Sequence, residues 1–312
     1  MNEDFYQKLR ESLSENQIMI EEPLANHTTF QIGGPADFLV LPESISQVAF
    51  LVKLCNLEQM PFYILGKGSN LLVSDKGYRG IIIKIGQDFS KITIEDPEDM
   101  SPNGKCLVKA QAGIMLSKMA NEIAEHSLEG FEFASGIPGT LGGAVTMNAG
   151  AYGGEMKDAI VSAVVADQSG NILELKKEEL KLGYRRSIVQ DKNYIVLEAV
   201  FAFSKGNNDE IRSKMNDLNA RRKEKQPLEY PSAGSTFKRP EGYFAGKLIM
   251  DAGLSGFQIG GAQVSEKHCG FVINRGGASA ADVRALISEV ITIVNDKFGV
   301  MLEPEVKLLG EF

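Results

Sequence analysis

Helical spacing of apolar residues is clearest over 279–298. Val283, Leu286, Ile287, Val290, Val294 and Phe298 fall on one stripe, and Ser279 with Asp282 has the spacing of an N-terminal cap. Similar spacing predicts a helix over 44–58, where Ser44 and Gln47 could form a capping box and Val48, Leu51 and Cys55 share a face. Met115, Met119 and Ile123 make a stripe over 115–127. Residues 3–14, 209–226 and 243–253 are further helical segments. Short apolar or alternating runs predict strands at 28–34, 36–41, 62–65, 80–85, 91–94, 106–112, 159–166, 172–175, 194–203, 271–274 and 305–309. Strands dominate from 80 to 204. The polar run Lys205-Gly-Asn-Asn-Asp209 reads as a boundary, after which helices and strands alternate. The pattern is α+β in two large parts, without internal repeats.

The chain has 312 residues, enough for two or three compact units. No run approaches the roughly 20 apolar residues that span a bilayer. The start, Met-Asn-Glu-Asp-Phe-Tyr-Gln-Lys, has no basic region followed by an apolar one, so no secretory leader is expected. A formal net charge of −8 argues against a general binder of nucleic acid or anionic membrane. Cys55, Cys106 and Cys269 are an odd number and lie far apart, which fits neither a disulfide framework nor a zinc site. A cytosolic setting and no metal are expected. His268 adjoins Cys269, but the chain has only three histidines. The pair reads as a buried thiol at a strand start.

Two glycine-rich stretches stand apart. Residues 136–154 hold seven glycines, one proline and no charged residue. Glycine permits positive φ and close approach to the backbone, at an entropic cost. Leu141, Ala144, Val145 and Met147 are too apolar for a plain surface loop. The second stretch, Leu65-Gly-Lys-Gly-Ser-Asn-Leu-Leu72, follows an apolar run. It completes neither a Walker A loop nor G-x-G-x-x-G. Facing one another, the two could hold a pyrophosphate with neutral backbone N–H groups and border a flat ring.

Four further segments could carry chemistry. Gly183-Tyr-Arg-Arg-Ser187 is a solvated face or an arginine clamp on a carboxylate or phosphate. Ser232-Ala-Gly-Ser-Thr-Phe-Lys238 has no nearby histidine to make a hydrolytic nucleophile. Glu305, in Leu302-Glu-Pro-Glu-Val-Lys-Leu-Leu309, heads an apolar terminal strand, where partial burial would favour its protonated form. Ala220-Arg-Arg-Lys-Glu-Lys-Gln-Pro227 suits a helix C-terminus or a diphosphate patch.

Taken in order, LGKGSNLL, GIPGTLGGAVTMNAGAYG, YRRS, GSTFK and LEPEV resemble the UDP-N-acetylenolpyruvoylglucosamine reductase family, the MurB-type flavoenzymes. The resemblance runs from about Asn26 to Gly310. It implies an FAD-binding domain over about 1–205, of the two-lobed vanillyl-alcohol-oxidase type with lobes near 1–85 and 86–205. An α+β substrate-binding domain would follow over 206–312. FAD would be held non-covalently by Gly66, Lys67, Gly68, Ser69, Asn70 and Leu71, with Ser135, Gly136, Ile137, Pro138, Gly139, Gly142, Gly143, Ala144, Asn148, Gly150, Ala151 and Gly153. NADPH would be the reductant, and the enolpyruvyl ether of UDP-N-acetylglucosamine would become UDP-N-acetylmuramate, a peptidoglycan precursor.

The same resemblance implies catalytic roles for Arg185, on the substrate carboxylate, for Glu305, beside the developing charge, and for Ser235, as proton donor. Arg222 and Lys225 would meet the UDP diphosphate, and Tyr152 the substrate near the ring. No inserted tyrosine segment lies between Arg185 and Ser235, which points to the compact class. Arg239 stands where some relatives have asparagine, so no substrate contact is carried over there. A cytoplasmic monomer without nucleic-acid or membrane partners is expected. An oxidase on the same flavin domain is the nearest alternative; His126 is the nearest histidine to the glycine-rich stretches, which favours a free flavin. A non-catalytic nucleotide-sugar or FAD-binding module is the other alternative.

Overall fold

The computed structural model describes residues 3–95 and 104–312. The chain forms two compact units. The first comprises 1–19, 39–67 and 81–222; the second comprises 20–38, 68–80 and 223–312. A single cut near 205 thus coincides with no border between them. The helix Asn208–Lys225 begins after the polar run, but its buried Ile211 and Met215 belong to the core of the first unit.

The first unit is built on an antiparallel sheet. Its order is Ile172–Lys176, Ile160–Ala166, Ile195–Lys205, Cys106–Gln111, Ile92–Ile94, with Leu128–Glu129 pairing the end of the long strand. Within Ile195–Lys205, buried and half-buried positions alternate from Leu197 to Phe203, as expected of a central strand with one face on the core. Phe201 and Phe203 stack, and Phe131 meets both edge-on at 5.7 Å. Helix Leu116–Glu125 buries Met119 and Ile123 into the same core, to which Val48 and Val52 of helix Ile45–Leu57 also belong. Ser44 caps that helix, its hydroxyl accepting the Gln47 N–H. Phe62–Leu65 pairs in parallel with the strand Tyr78–Lys84.

In the second unit the strands Gln258–Ile259, Ala262–Val264 and Val272–Asn274 form an antiparallel sheet. Helix Ala280–Phe298 shares its core, burying Val283, Leu286, Ile287, Val290 and Val294. Phe298, expected on that stripe, is 39% exposed, because the helix ends there at Gly299 with φ 67°. Ser279 and Asp282 form the expected capping box, and the Asp75 carboxylate accepts the Ala280 and Ala281 N–H groups. Leu71–Val73 pairs in parallel with Lys307–Leu309, joining the second glycine-rich stretch to the chain's last strand.

Several expectations change. Residues 28–34 are not a strand: Gln31 has φ 56°, and the Thr28 hydroxyl donates to the Ile32 carbonyl at 3.1 Å. A threonine that satisfies the backbone locally competes with strand pairing. The first helix spans Glu3–Leu9 only. Strands Ile18–Pro23, Leu71–Val73 and Ala262–Val264 were not anticipated, and the glycine-rich stretch contains a short helix, Leu141–Thr146.

Glu132 is 5% exposed and receives the Gly130 N–H at 3.0 Å and the Lys214 ammonium at 3.1 Å. Burial pushes its carboxyl up, but the backbone N–H groups and Lys214 outweigh that and hold it below its ordinary value. A depressed carboxyl contributes stability above the unfolded-state value, and that contribution fades as pH falls through the folded value. Glu132→Gln is therefore expected to cost about 1–3 kcal/mol at pH 7 and less at pH 4. Denaturant titrations at both pH values check this.

Candidate functional site

In the first unit, the turn of 3-10 helix Glu132–Ala134 delivers Ser135, with Phe133 packed edge-on to Phe131 at 5.5 Å beneath it. Gly154 lies on that phenyl ring; a Cβ there would come within 2.5 Å of it. A Cβ on Gly142 would lie 2.9 Å from the Ala112 methyl, and one on Gly150 would lie 2.6 Å from the Gly154 carbonyl. A Cβ on Gly66 would meet the Thr140 hydroxyl at 2.4 Å. The two glycine-rich stretches therefore touch at Gly66 and Thr140. Much of the glycine content serves this packing of protein on protein. Gly143 and Gly153 are different. A Cβ on Gly143 would find only the Thr140 hydroxyl, 3.8 Å away, and one on Gly153 nothing within 4 Å. Ser135 is 8% exposed, and its buried hydroxyl has no hydrogen-bond partner among the described residues.

Arg185 sits at the tip of a tight turn. Gly183 and Arg186 exchange backbone hydrogen bonds at 2.9 and 3.2 Å, leaving Tyr184 and Arg185 between them. Arg185 has φ 54°, a conformation that is uncommon for a residue with a Cβ. Its guanidinium lies 5.3 Å from the Tyr184 ring centre. The buried Asn148 amide donates to the Gly183 carbonyl at 3.0 Å and to Glu155 at 2.7 Å, and its oxygen accepts the Lys157 N–H. Ser187 and Gln190 both donate to the Thr146 carbonyl. Lys157, then Asn148 and the Arg185 charge, hold Glu155 below the usual carboxylate range. Asn148, expected at the cofactor, thus has its amide engaged in fixing the Arg185 turn.

Gly150–Ala151 and Gly154–Glu155 form a hairpin with Tyr152 and Gly153 at its tip, both at positive φ. This is the backbone of a two-residue hairpin turn, and it leaves Tyr152 47% exposed. Arg222 is half-buried next to Gly136, whose absent Cβ would lie 3.2 Å from the Arg222 Cδ. Burial lowers the Arg222 pKa, with the Tyr152 phenol acting the other way. No carboxylate among the described residues pairs with Arg222. A partly desolvated guanidinium of this kind favours an anionic ligand.

The Gly66–Leu71 turn is divided, with Gly66 and Lys67 in the first unit and Gly68–Leu71 in the second. Gly68 has φ 69°, and a Cβ there would strike the His27 carbonyl at 2.3 Å. The Asn70 amide donates to the Glu305 carbonyl at 3.2 Å, and the Asn70 carbonyl accepts the Lys307 N–H at 3.1 Å. Half-buried Glu305 donates its N–H to the Thr236 carbonyl at 2.8 Å. The second unit thereby brings Ser235, Glu305 and Asn70 into one neighbourhood. Ser235 is exposed, between Gly234 at φ 76° and the buried Thr236. Lys225 is exposed at the end of its helix. Arg185, Tyr152 and Arg222 belong to the first unit; Ser235, Glu305 and Lys225 belong to the second.

Sequence reasoning missed Thr140 and Thr236. Each is a buried threonine directly following a glycine-containing turn, and that adjacency was the available signal. The residues fit a flavin nucleotide: an orphaned buried hydroxyl at Ser135, bare backbone at Gly143 and Gly153, and an apolar floor of phenylalanines. Among the described residues no group of three or more His, Cys, Asp or Glu could hold a metal ion. Burial pushes the Cys55 thiol up to about 12, and Cys106 and Cys269 are also buried.

A family model for an FAD binding domain matches residues 36–176, and one for the C-terminal domain of UDP-N-acetylenolpyruvoylglucosamine reductase matches 226–309. The chain is 55% identical over 311 residues to the UDP-N-acetylenolpyruvoylglucosamine reductase of Lachnoclostridium phytofermentans, covering 100% of this chain and 99% of the relative. It is 53% identical to that of Agathobacter rectalis, with both chains fully covered. The crystal structure of the Thermus caldophilus reductase superposes over 94% of this chain and 100% of its own, at 32% identity and a TM-score of 0.77. Wild-type Phl p 4.0202, a glucose dehydrogenase, matches 66% of this chain and 44% of its own at 11% identity and a TM-score of 0.50, a likeness of fold alone.

Ser135→Ala removes a buried hydroxyl that has no protein partner. It is expected to leave the stability of the flavin-free protein unchanged or slightly higher, and to weaken FAD binding by about tenfold, the worth of one hydrogen bond to a charged group. Thermal melts without flavin and a fluorescence titration with FAD measure the two effects separately.

Proposed function

The chain belongs to the UDP-N-acetylenolpyruvoylglucosamine reductase family, and we propose that Arg185, Ser235 and Glu305 are the residues that carry its reaction. It is an FAD-dependent oxidoreductase that uses NADPH to reduce the enolpyruvyl ether of UDP-N-acetylglucosamine to UDP-N-acetylmuramate, in peptidoglycan precursor synthesis. FAD, when bound, would supply the hydride-transfer chemistry that links NADPH to the terminal methylene carbon of the enolpyruvyl group. Ser135, Gly143 and Gly153 would hold this cofactor, through a partnerless hydroxyl and two open backbone positions.

When hydride reaches the methylene carbon, the vinyl electron pair moves onto the carbon bearing the ether oxygen and into the attached carboxylate. Arg185 grips that carboxylate through two N–H groups. Its contact strengthens as negative charge arrives, so it stabilises the transition state more than the bound substrate. A fixed turn suits this task, because a guanidinium that had to reorient would lose part of the gain. Glu305, when it carries a proton, donates a hydrogen bond to the same developing charge. Ser235 gives its hydroxyl proton to the carbanionic carbon, forming the new C–H bond. Solvent then reprotonates the serine oxygen, which its exposure permits. Arg222, Lys225 and Tyr152 bind the nucleotide diphosphate and the adjoining substrate.

The observation that carries the assignment is the Glu305 N–H to Thr236 carbonyl bond, which ties the proposed acid to the residue next to the proposed proton donor. The C-terminal match to the reductase family over residues 226–309 favours the reductase over an oxidase on the same flavin domain. The protein works as a monomer in the cytoplasm, in keeping with three buried free thiols. No helix among the described residues is long and apolar enough to cross a membrane.

Ser235→Ala is expected to leave flavin reduction by NADPH within about twofold and to slow reoxidation by the enolpyruvyl nucleotide sugar by about 10²-fold or more, the range of general acid catalysis. Anaerobic stopped-flow at the flavin absorbance separates the two halves; equal slowing of both would sink the assignment. Arg185→Lys should lower the reoxidation rate constant more than it weakens substrate binding, since lysine keeps the charge but loses the bidentate fork. Reoxidation rates measured against substrate concentration test this, and a change in affinity alone would contradict it.

A further inference from the structure

We propose that Thr236 is a positioning residue for the protonation step, held in turn by His268 through Gly270. The inference rests on Ser235 being the proton donor. Thr236 is 1% exposed and has all of its backbone polar groups engaged. Its N–H donates to the Gly270 carbonyl at 2.8 Å, and its carbonyl accepts the Glu305 N–H at 2.8 Å. Its side-chain Oγ1 accepts the Val272 N–H at 2.9 Å. One residue thereby joins three separate segments: the Ser235 turn, the Val272–Asn274 strand and the approach to the last strand.

Ser235 lies between unequal neighbours. On one side, Gly234 at φ 76° has open space where a Cβ would be. On the other, Thr236 is pinned from three directions. The serine hydroxyl is a weak acid, so it transfers a proton at a useful rate only from close range and in line. Its placement cannot come from the glycine side, which is permissive. It must come from the threonine side.

The pinning extends one step further. The Gly270 N–H donates to His268 Nδ1 at 3.1 Å, and the His268 N–H donates to the Ser265 hydroxyl at 3.3 Å. The imidazole meets Phe271 edge-on at 4.9 Å. Its Cε1 is 2.9 Å from where a Gly270 Cβ would be and 3.4 Å from that of Gly246, so glycines at both positions let the ring lie flat against the turn. Burial disfavours the charged ring and keeps Nδ1 available as an acceptor. Gly270, whose N–H donates to His268, accepts the Thr236 N–H at its own carbonyl, across its Cα. This gives the His268-Cys269 pair a task that needs neither a metal nor a reactive thiol: it shapes the turn that holds Thr236.

The test compares Thr236→Val, Thr236→Ser and His268→Phe in the flavin-loaded enzyme, with Ser235→Ala alongside. Valine keeps the shape but leaves the Val272 N–H without an acceptor. Thr236→Val is expected to slow flavin reoxidation by substrate about tenfold, keep flavin reduction by NADPH within about twofold, and raise the solvent deuterium isotope effect on reoxidation. Thr236→Ser should restore both, because it returns the hydroxyl. His268→Phe keeps the ring and loses the acceptor, so it should shift the same half-reaction in the same direction; it decides the matter if Thr236→Val does not fold. Equal slowing of both halves, an unchanged isotope effect, or a serine variant as slow as the valine one would overturn the proposal. If Ser235→Ala itself reoxidises normally, the proton-donor assignment fails and the proposal falls with it. If Ser235→Ala is slow while Thr236→Val and His268→Phe are not, only the positioning role is refuted.

Discussion

Close approach of one backbone to another stretch of chain governs both units. At Gly142, Gly154 and Gly66 the first unit packs Ala112, the Phe133 ring and the Thr140 hydroxyl into the volume a Cβ would fill. The second unit does the same at Gly77, where the Pro35 carbonyl would lie 1.9 Å from a Cβ, and at Gly310, 2.3 Å from the Gly77 carbonyl. Such contacts cannot be relieved by a rotamer change, because the obstructing atoms are mostly backbone or rigid rings. They fix the loops that carry the chemistry as firmly as strand pairing would. They also divide the glycines into two kinds: those occupied by protein, and those, such as Gly143 and Gly153, left with open space where a Cβ would be.

The functional side chains are held by hydrogen bonds to peptide groups more than by one another. Arg185 depends on Asn148 bonding the Gly183 carbonyl, and Ser235 on the peptide links of Thr236. Loops carry function because their backbone is not committed to a ladder, yet the same freedom would blur a site. Here buried polar side chains take the place of the ladder. The cost is visible at Arg185 and Asn148, both at positive φ without being glycine. Strain of about 1–3 kcal/mol at each is tolerated where the surroundings over-determine the conformation.

The regular elements were legible wherever burial has a period. The 279–298 stripe as far as Val294, the Ser279 and Asp282 cap and the 62–65 strand all appear as the pattern implies. The pattern failed where local chemistry outbid it, as at Thr28 and Gln31, or where the strand is three residues long and its partner is remote. Leu71–Val73 pairs with Lys307–Leu309 at the opposite end of the chain, and no local period encodes that. The glycine-rich stretch was read as bare backbone for a ligand. Only coordinates could separate Gly154, which serves Phe133, from Gly153, which faces nothing.

By itself the sequence determined the helix stripes, the α+β class, the glycine loops and, through ordered motifs, the family. These follow from local spacing and from residue chemistry, which do not depend on what lies nearby in space. Tertiary structure alone decided that the compact units interleave along the chain, that the Asn148 amide is spent on the Arg185 turn, and that Thr236 ties Ser235 to Glu305. Each of these is a hydrogen bond or contact between residues far apart in sequence. Its existence depends on a register and an approach distance that only the folded chain sets.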